Sequence, residues 1–113
     1  MLLTVSATLL EACVLAILAR EDTYGYQITQ QLVKATGVSE SALYPVLRRL
    51  QKEGALDTYD VAINGRNRRY YHISPYGERR LEEYLSEWER YKQGLDAILH
   101  GEKKDGGAAD DPR

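Results

Sequence analysis

The chain has a single cysteine, Cys13. One thiol excludes an internal disulfide framework and any multi-cysteine zinc or iron–sulfur site. Histidine is almost as scarce, and His72 and His100 have no metal-ligand spacing with that cysteine. No glycine-rich phosphate loop is present, and no serine, histidine and aspartate stand out as a catalytic group, so an enzyme is not expected. Nothing in the residues calls for a metal or a cofactor. Long apolar runs are missing as well. Met1–Leu10 carries no charge, but Glu11 interrupts the pattern before Ala12–Ala19. Neither stretch approaches the roughly 20 apolar residues of a spanning helix. No basic residue precedes the apolar opening, so no signal peptide is expected, and the expected setting is a reducing cytoplasm with no membrane partner.

What remains is ordinary in bulk. The 113 residues suit one domain, and 43% hydrophobic with 28% charged residues matches a folded globular chain. The formal net charge of −2 argues against a polyanion partner until it is divided along the chain. Residues 34 to 80 hold nine Lys/Arg against five Asp/Glu, a net of +4, and the remainder carries −6. A basic middle between acidic ends suits one polyanion-facing surface, and by charge alone it suits a solvated mixed surface equally well.

Apolar periodicity gives the elements. Leu10, Cys13, Val14, Ile17 and Leu18 recur at helical spacing and predict a helix over about 6–20, with Cys13 as a small buried hydrophobe. Thr23 is a candidate cap for a second helix, with Ile28, Leu32 and Val33 on its buried side and Gly37 at its end. Ser39 and Ser41 offer caps for a third helix carrying Leu43, Val46, Leu47 and Leu50, and Gly54 stops it. Two helices joined by a short glycine-containing turn form a helix-turn-helix pattern.

Leu56–Ile63 and Arg66–Ile73 are β-prone runs separated by Asn64-Gly65, a two-residue turn signal. Such a turn pairs Leu56 with Ile73, Thr58 with Tyr71 and Asp60 with Arg69 on one side of the ribbon, and puts Arg66 and Arg68 on the other. A hairpin with an apolar base and a basic tip is a wing. Ser74-Pro75 then opens a final helix. Leu81, Tyr84, Trp88, Tyr91, Leu95 and Ile98 follow at heptad-like spacings of three and four. A helix over 75–100 would be roughly 39 Å long, more than a small domain can cover, so this seam predicts a homodimer interface. The fold class is thus mostly α with a small β-hairpin. The expected organisation is a winged helix-turn-helix over 1–74, read as a DNA-binding domain, a dimerisation helix over 75–100 and a disordered tail over 101–113.

These residues resemble the PadR family of bacterial transcriptional regulators. The matching features are Tyr24-Gly25-Tyr26, the run Ser41-Ala42-Leu43-Tyr44-Pro45-Val46-Leu47-Arg48-Arg49-Leu50 with Glu53-Gly54, and Gly65-Arg66-Asn67-Arg68-Arg69-Tyr70-Tyr71-His72-Ile73-Ser74 with Gly77. The single closing helix resembles the short subclass of that family. The wing tip departs from it, with Asn-Gly-Arg where Gly-Gly-Arg is common. The resemblance implies a winged-helix dimer on palindromic double-stranded operator DNA, acting as a repressor that a small molecule releases.

The third helix indicates how DNA would be held. If Leu43, Val46, Leu47 and Leu50 face inward, then Ser41, Pro45, Arg48 and Lys52 lie nearly opposite with Tyr44 on the shoulder. Ser41 and Arg48 are the candidate base readers, and Tyr44 and Lys52 the phosphate holders. Arg49 falls to the side, where it can pair with an acid. Arg66 and Arg68, helped by Asn67, would enter the minor groove or grip phosphate, with Tyr24 and Gln27 as further phosphate candidates. Tyr26 suits the core equally well.

The seam's midpoint falls between Trp88 and Tyr91, so antiparallel crossing would bring Trp88 to its own symmetry mate. Two readings stay open there. One is tight dimer packing, and the other is a slot formed by Trp88, Tyr91 and Tyr84 that stacks a small aromatic effector. The Ser-Glu-Trp segment resembles PadR members that bind hydrophobic drugs between subunits, and Glu87 and Glu89 would favour cationic or neutral aromatics. The rival function is a protein-binding winged helix, an antirepressor or assembly module without strong DNA affinity. The acidic total charge favours that rival, and the placement of the arginines favours DNA.

Overall fold

The protein is described by a computed structural model covering residues 5–102. These residues form α1 (Ala7–Arg20), β1 (Thr23–Tyr24), α2 (Gly25–Thr36), α3 (Leu43–Lys52), β2 (Leu56–Ile63), β3 (Arg66–Ile73) and α4 (Pro75–Leu99). Of the tail expected over 101–113, residues 103–113 lie outside the described part. The sheet is antiparallel with β3 in the centre, and the whole is a winged helix with a long closing helix. No helix among the described residues is long and apolar enough to cross a membrane.

The core lies where α1, α2 and α3 meet the base of the hairpin. Val14, Leu15 and Leu18 from α1 pack with Ile28 and Leu32 from α2, while α3 contributes Leu43, Val46, Leu47 and Leu50. Leu56 and Ile73 close this core from the wing, and Ala55 fills the corner. Burying each such side chain stabilises the fold by about 1.5–3 kcal/mol, so losing one large member is serious for a domain this small.

The hairpin register is the one the turn dictates, Leu56 opposite Ile73 through Ile63 opposite Arg66. Asn64 and Gly65 take φ of 51° and 78°, the left-handed pair that a type I′ turn demands. Asp60 and Arg69 approach to 3.8 Å on the exposed ribbon, a contact of little energetic weight. At the other junction the Ser74 hydroxyl accepts the Gly77 amide at 3.0 Å, and Pro75 occupies the first turn. Gly77 allows α4 to approach closely, because a Cβ there would sit 2.3 Å from the Ala55 carbonyl oxygen.

Several expectations need correction. Thr23 does not cap α2: Thr23 and Tyr24 are extended and pair with Tyr71 and Tyr70. The free edge of β3 satisfies their backbone, and α2 starts without a side-chain cap. A 3-10 turn over Glu40–Ala42 precedes α3, and Ser39 and Ser41 bond to each other at 3.3 Å instead of capping. Pro45 then falls in the first turn of α3, where a missing N–H removes no intrahelical bond. The buried face of α1 runs through Leu10, Glu11, Val14, Leu15 and Leu18, which leaves Cys13 half-buried on the flank. Burial still pushes the Cys13 thiol up, away from the reactive thiolate. Tyr26 is no core residue, being 61% exposed. Leu81, expected in the dimer seam, is buried against its own subunit's core, because α4 crosses that core at this turn.

Candidate nucleic-acid interface

The outward face of α3 carries Tyr44, Pro45, Arg48 and Lys52, all exposed, while Leu43, Val46, Leu47 and Leu50 are buried beneath them; Ser41, expected on this helix, is exposed on the 3-10 turn that precedes it. This division follows from helical periodicity alone. Arg49 points sideways instead and pairs with Glu11 on α1, its Nε donating at 2.7 Å.

Beside this face the hairpin leans over the start of α2 and forms an open cleft. The cleft brings together Tyr24, Tyr44, Arg66, Asn67 and Arg68, five of the nominated contact residues. It also includes Tyr26, Arg69 and Tyr71, which had not been nominated. The signal for Tyr26 was present, since it lies two positions, about 200°, from buried Ile28. Arg48 and Lys52 lie further along α3 and border a separate shallow depression with Arg49 and Gln51.

Local contacts hold the cleft's edge in place. The Arg68 guanidinium lies 4.5 Å from the centroid of the Tyr24 ring, a cation–π contact between the wing and the entry to α2. The Gln27 amide donates to the Tyr24 hydroxyl at 3.5 Å. That amide and the nearby Arg68 charge lower the Tyr24 pKa. Tyr70 stands between Tyr24 and Tyr59, with ring centroids 5.5 and 5.7 Å away, so the outer face of the wing is an aromatic row.

At the wing base Asp22 accepts from the Tyr59 hydroxyl at 2.6 Å and bonds His72 Nδ1 at 2.8 Å. The Tyr59 bond, and after it His72, depress the Asp22 carboxyl. The Asp22 bond raises the His72 pKa, aided by the charges of Asp57 and Glu78. The α1–β1 link thereby clasps the hairpin.

A different surface runs along α4. Trp88, Tyr91, Leu95 and Ile98 remain exposed, Ile98 by 80%. Tyr84, Trp88 and Tyr91 border a groove of about 320 Å³ against the start of α1, with Glu87 at its rim. On the other side of Trp88 an almost wholly apolar groove of about 290 Å³ is lined by Leu9, Ala12, Cys13, Ala16 and Leu85. The three aromatics nominated for a ligand are therefore neighbours within one subunit. Among the described residues no cluster of histidine, cysteine and carboxylate side chains is placed to hold a metal.

Residues 14–83 match the family model described as "Transcriptional regulator PadR-like family". Among solved structures, the smu.1704 protein of Streptococcus mutans UA159 is 40% identical, covers 93% of this chain and 100% of its own, and superposes with a TM-score of 0.83. The PadR-like transcriptional regulator BC4206 of Bacillus cereus is 37% identical with a TM-score of 0.76, over 84% of this chain and 95% of that one. A transcriptional regulator of Mycobacterium tuberculosis, Rv3488, is 36% identical over 66 residues, which is 58% of this chain and 62% of that relative.

Proposed function

The chain belongs to the PadR-like family of transcriptional regulators, not to a family of enzymes, and from that premise we propose that it binds operator DNA as a homodimer in the cytoplasm. The observation that carries this reading is the shared outlook of α3 and the wing, with Tyr44 of α3 and Arg66 and Arg68 of the wing around one cleft. A rigid helix with Arg48 outward, and Ser41 on the turn at its start, fits the major groove, where a bidentate arginine–guanine contact discriminates by about 1–3 kcal/mol. Lys52, Arg66 and Arg68 neutralise phosphates, and Tyr24, Tyr44, Gln27 and Asn67 add uncharged hydrogen bonds. The arginines outweigh the acidic total charge because they sit on the surface that meets the duplex.

The apolar strip on α4 supports a dimer. Trp88, Tyr91, Leu95 and Ile98 lie on the flank of a helix whose first turns alone are held by the core. Pairing two such strips covers them both, and two-fold symmetry sets the recognition helices on half-sites about 10 bp apart or a multiple of that. The grooves beside Trp88 would then adjoin the two-fold axis. They suit a flat aromatic or hydrophobic effector that releases a repressor, with Glu87 favouring cationic rings, whereas Glu89 lies outside both grooves and pairs with Lys92 at 3.0 Å.

The test is a mobility shift on a duplex selected by the protein from a random library, repeated with Arg48→Ala and Arg66→Ala. Each substitution is expected to weaken retention at least tenfold, and Arg48→Ala is expected to relax the sequence preference as well. Unchanged retention in both would remove the proposed face and favour a protein-binding module.

A further inference from the structure

Among the described residues, Glu11 is the one charged side chain that is buried, at 6% exposure, and it lies on the core-facing side of α1. Each of its oxygens is engaged. Oε2 accepts from Arg49 of α3 at 2.7 Å. Oε1 accepts from Arg80 of α4 at 2.8 Å and from the Tyr84 hydroxyl at 2.5 Å. Arg80 also donates to Glu53, just past the end of α3, at 2.6 Å. A single carboxylate thus joins three helices, and nothing in the DNA face or the α4 strip requires it.

The energetics say what such a cluster is for. A buried ion pair is seldom more stabilising than apolar residues of the same volume, because desolvation offsets most of the attraction. Its distinguishing property is geometric, since charge-assisted bonds tolerate little misalignment. Burial pushes the Glu11 carboxyl up, but the Tyr84 bond, Arg49 and Arg80 together outweigh it and hold the group below its ordinary range. The carboxylate therefore stays ionised and keeps all three partners.

The partners' positions give the arrangement its consequence. Arg49 is the residue beside Arg48 on α3, whose rotation is set by buried Leu43, Val46, Leu47 and Leu50, and its bond to Glu11 adds a polar brace to that orientation. Tyr84 lines both grooves beside Trp88 while its hydroxyl rests on Glu11. We propose that Glu11 is a positioning residue for operator reading, bracing α3 through Arg49 and linking it through Tyr84 to the grooves along α4. The proposal rests on the DNA-binding reading above. It adds a route from the candidate effector grooves, entered at Tyr84, to the reading helix through a carboxylate that lines neither the grooves nor the DNA face.

The experiment compares wild type, Glu11→Gln, Tyr84→Phe and the double variant on two duplexes, the one selected from a random library and a scrambled sequence of equal length. Glu11→Gln removes a negative charge, so by charge alone it would tighten both complexes. The positioning role predicts the opposite for the selected duplex, a loss of roughly two- to thirtyfold with the scrambled duplex unweakened. Tyr84→Phe should move the same way, and the double variant should lose less than the product of the two single losses. Tyr84→Phe keeps the test open should Glu11→Gln fail to fold. Equal losses on both duplexes, or none on either, would overturn the proposal, as would strict additivity. If the wild type enriches no duplex at all, the DNA reading itself fails, and that outcome is distinct from the others.

Discussion

Gly77→Ala sets a general helix rule against one local contact. In an open helix, glycine to alanine stabilises by up to about 1 kcal/mol. At Gly77 the new Cβ would stand 2.3 Å from the Ala55 carbonyl oxygen and 2.8 Å from Ile73 Cγ1. That carbonyl cannot easily retreat, because it accepts the Ser74 amide at 3.0 Å while the Ala55 amide donates to Leu50 at 2.9 Å. To restore ordinary contact, α4 must lift from the wing base by about 1 Å, and overpacking of this kind costs typically 1–3 kcal/mol. The net expectation is a loss of about 1–2 kcal/mol, which lowers the midpoint of thermal unfolding by roughly 4–8 °C per kcal/mol. Gly94→Ala is the comparison, since a Cβ there meets nothing within 4 Å in the subunit and should raise the midpoint slightly. Circular dichroism at 222 nm, at one protein concentration, measures both. A Gly77→Ala midpoint at or above wild type would refute the packing assigned to the α4 start.

Further expectations concern charge, protons and the aromatic strip. Lys52, Arg66 and Arg68 from each of two subunits would release counterions with a slope of about −5 in log affinity against log salt, and Arg66→Ala should flatten it by about 2. A slope near zero in a salt-series titration would contradict phosphate contact by these residues. The folded pKa of His72 is raised above its ordinary 6.5, so its bond to Asp22 contributes fully below that value and is lost as pH rises through the higher folded value. Asp22→Asn should bring the His72 titration, followed by nuclear magnetic resonance, back toward its ordinary position, and an unmoved titration would exclude the clasp. Planar cationic aromatics should quench the fluorescence of Trp88, the only tryptophan, and silence across a varied panel would count against the aromatic slot.

Legibility in the sequence followed the range of the forces involved. The Asn64-Gly65 turn dictates a register through local dihedrals, and Ser74-Pro75 marks the start of α4 through local hydrogen bonds, so both are readable within a few residues. The outward set on α3 was equally plain, because four buried aliphatics leave only one opposite face. Features that depend on distant partners were not. Glu11 reads as an interruption of an apolar helix, yet it turns inward because Arg49 and Arg80 await it 38 and 69 positions along the chain. The core face of α1 runs through Glu11 and Leu15, with Cys13 on its flank. Thr23 reads as a cap until the β3 edge offers its backbone a ladder. Leu81 keeps the seam's heptad spacing, but the path of α4 over the core takes it into the subunit.

Sequencing of duplexes enriched by the protein from a random library, with the mass of the resulting complex measured alongside, bears most directly on the proposal that two chains hold one duplex. An inverted repeat with half-site centres about one helical turn apart, or a multiple, and two chains per duplex is the expected result. Enrichment of a lone unpaired half-site occupied by one chain would contradict it.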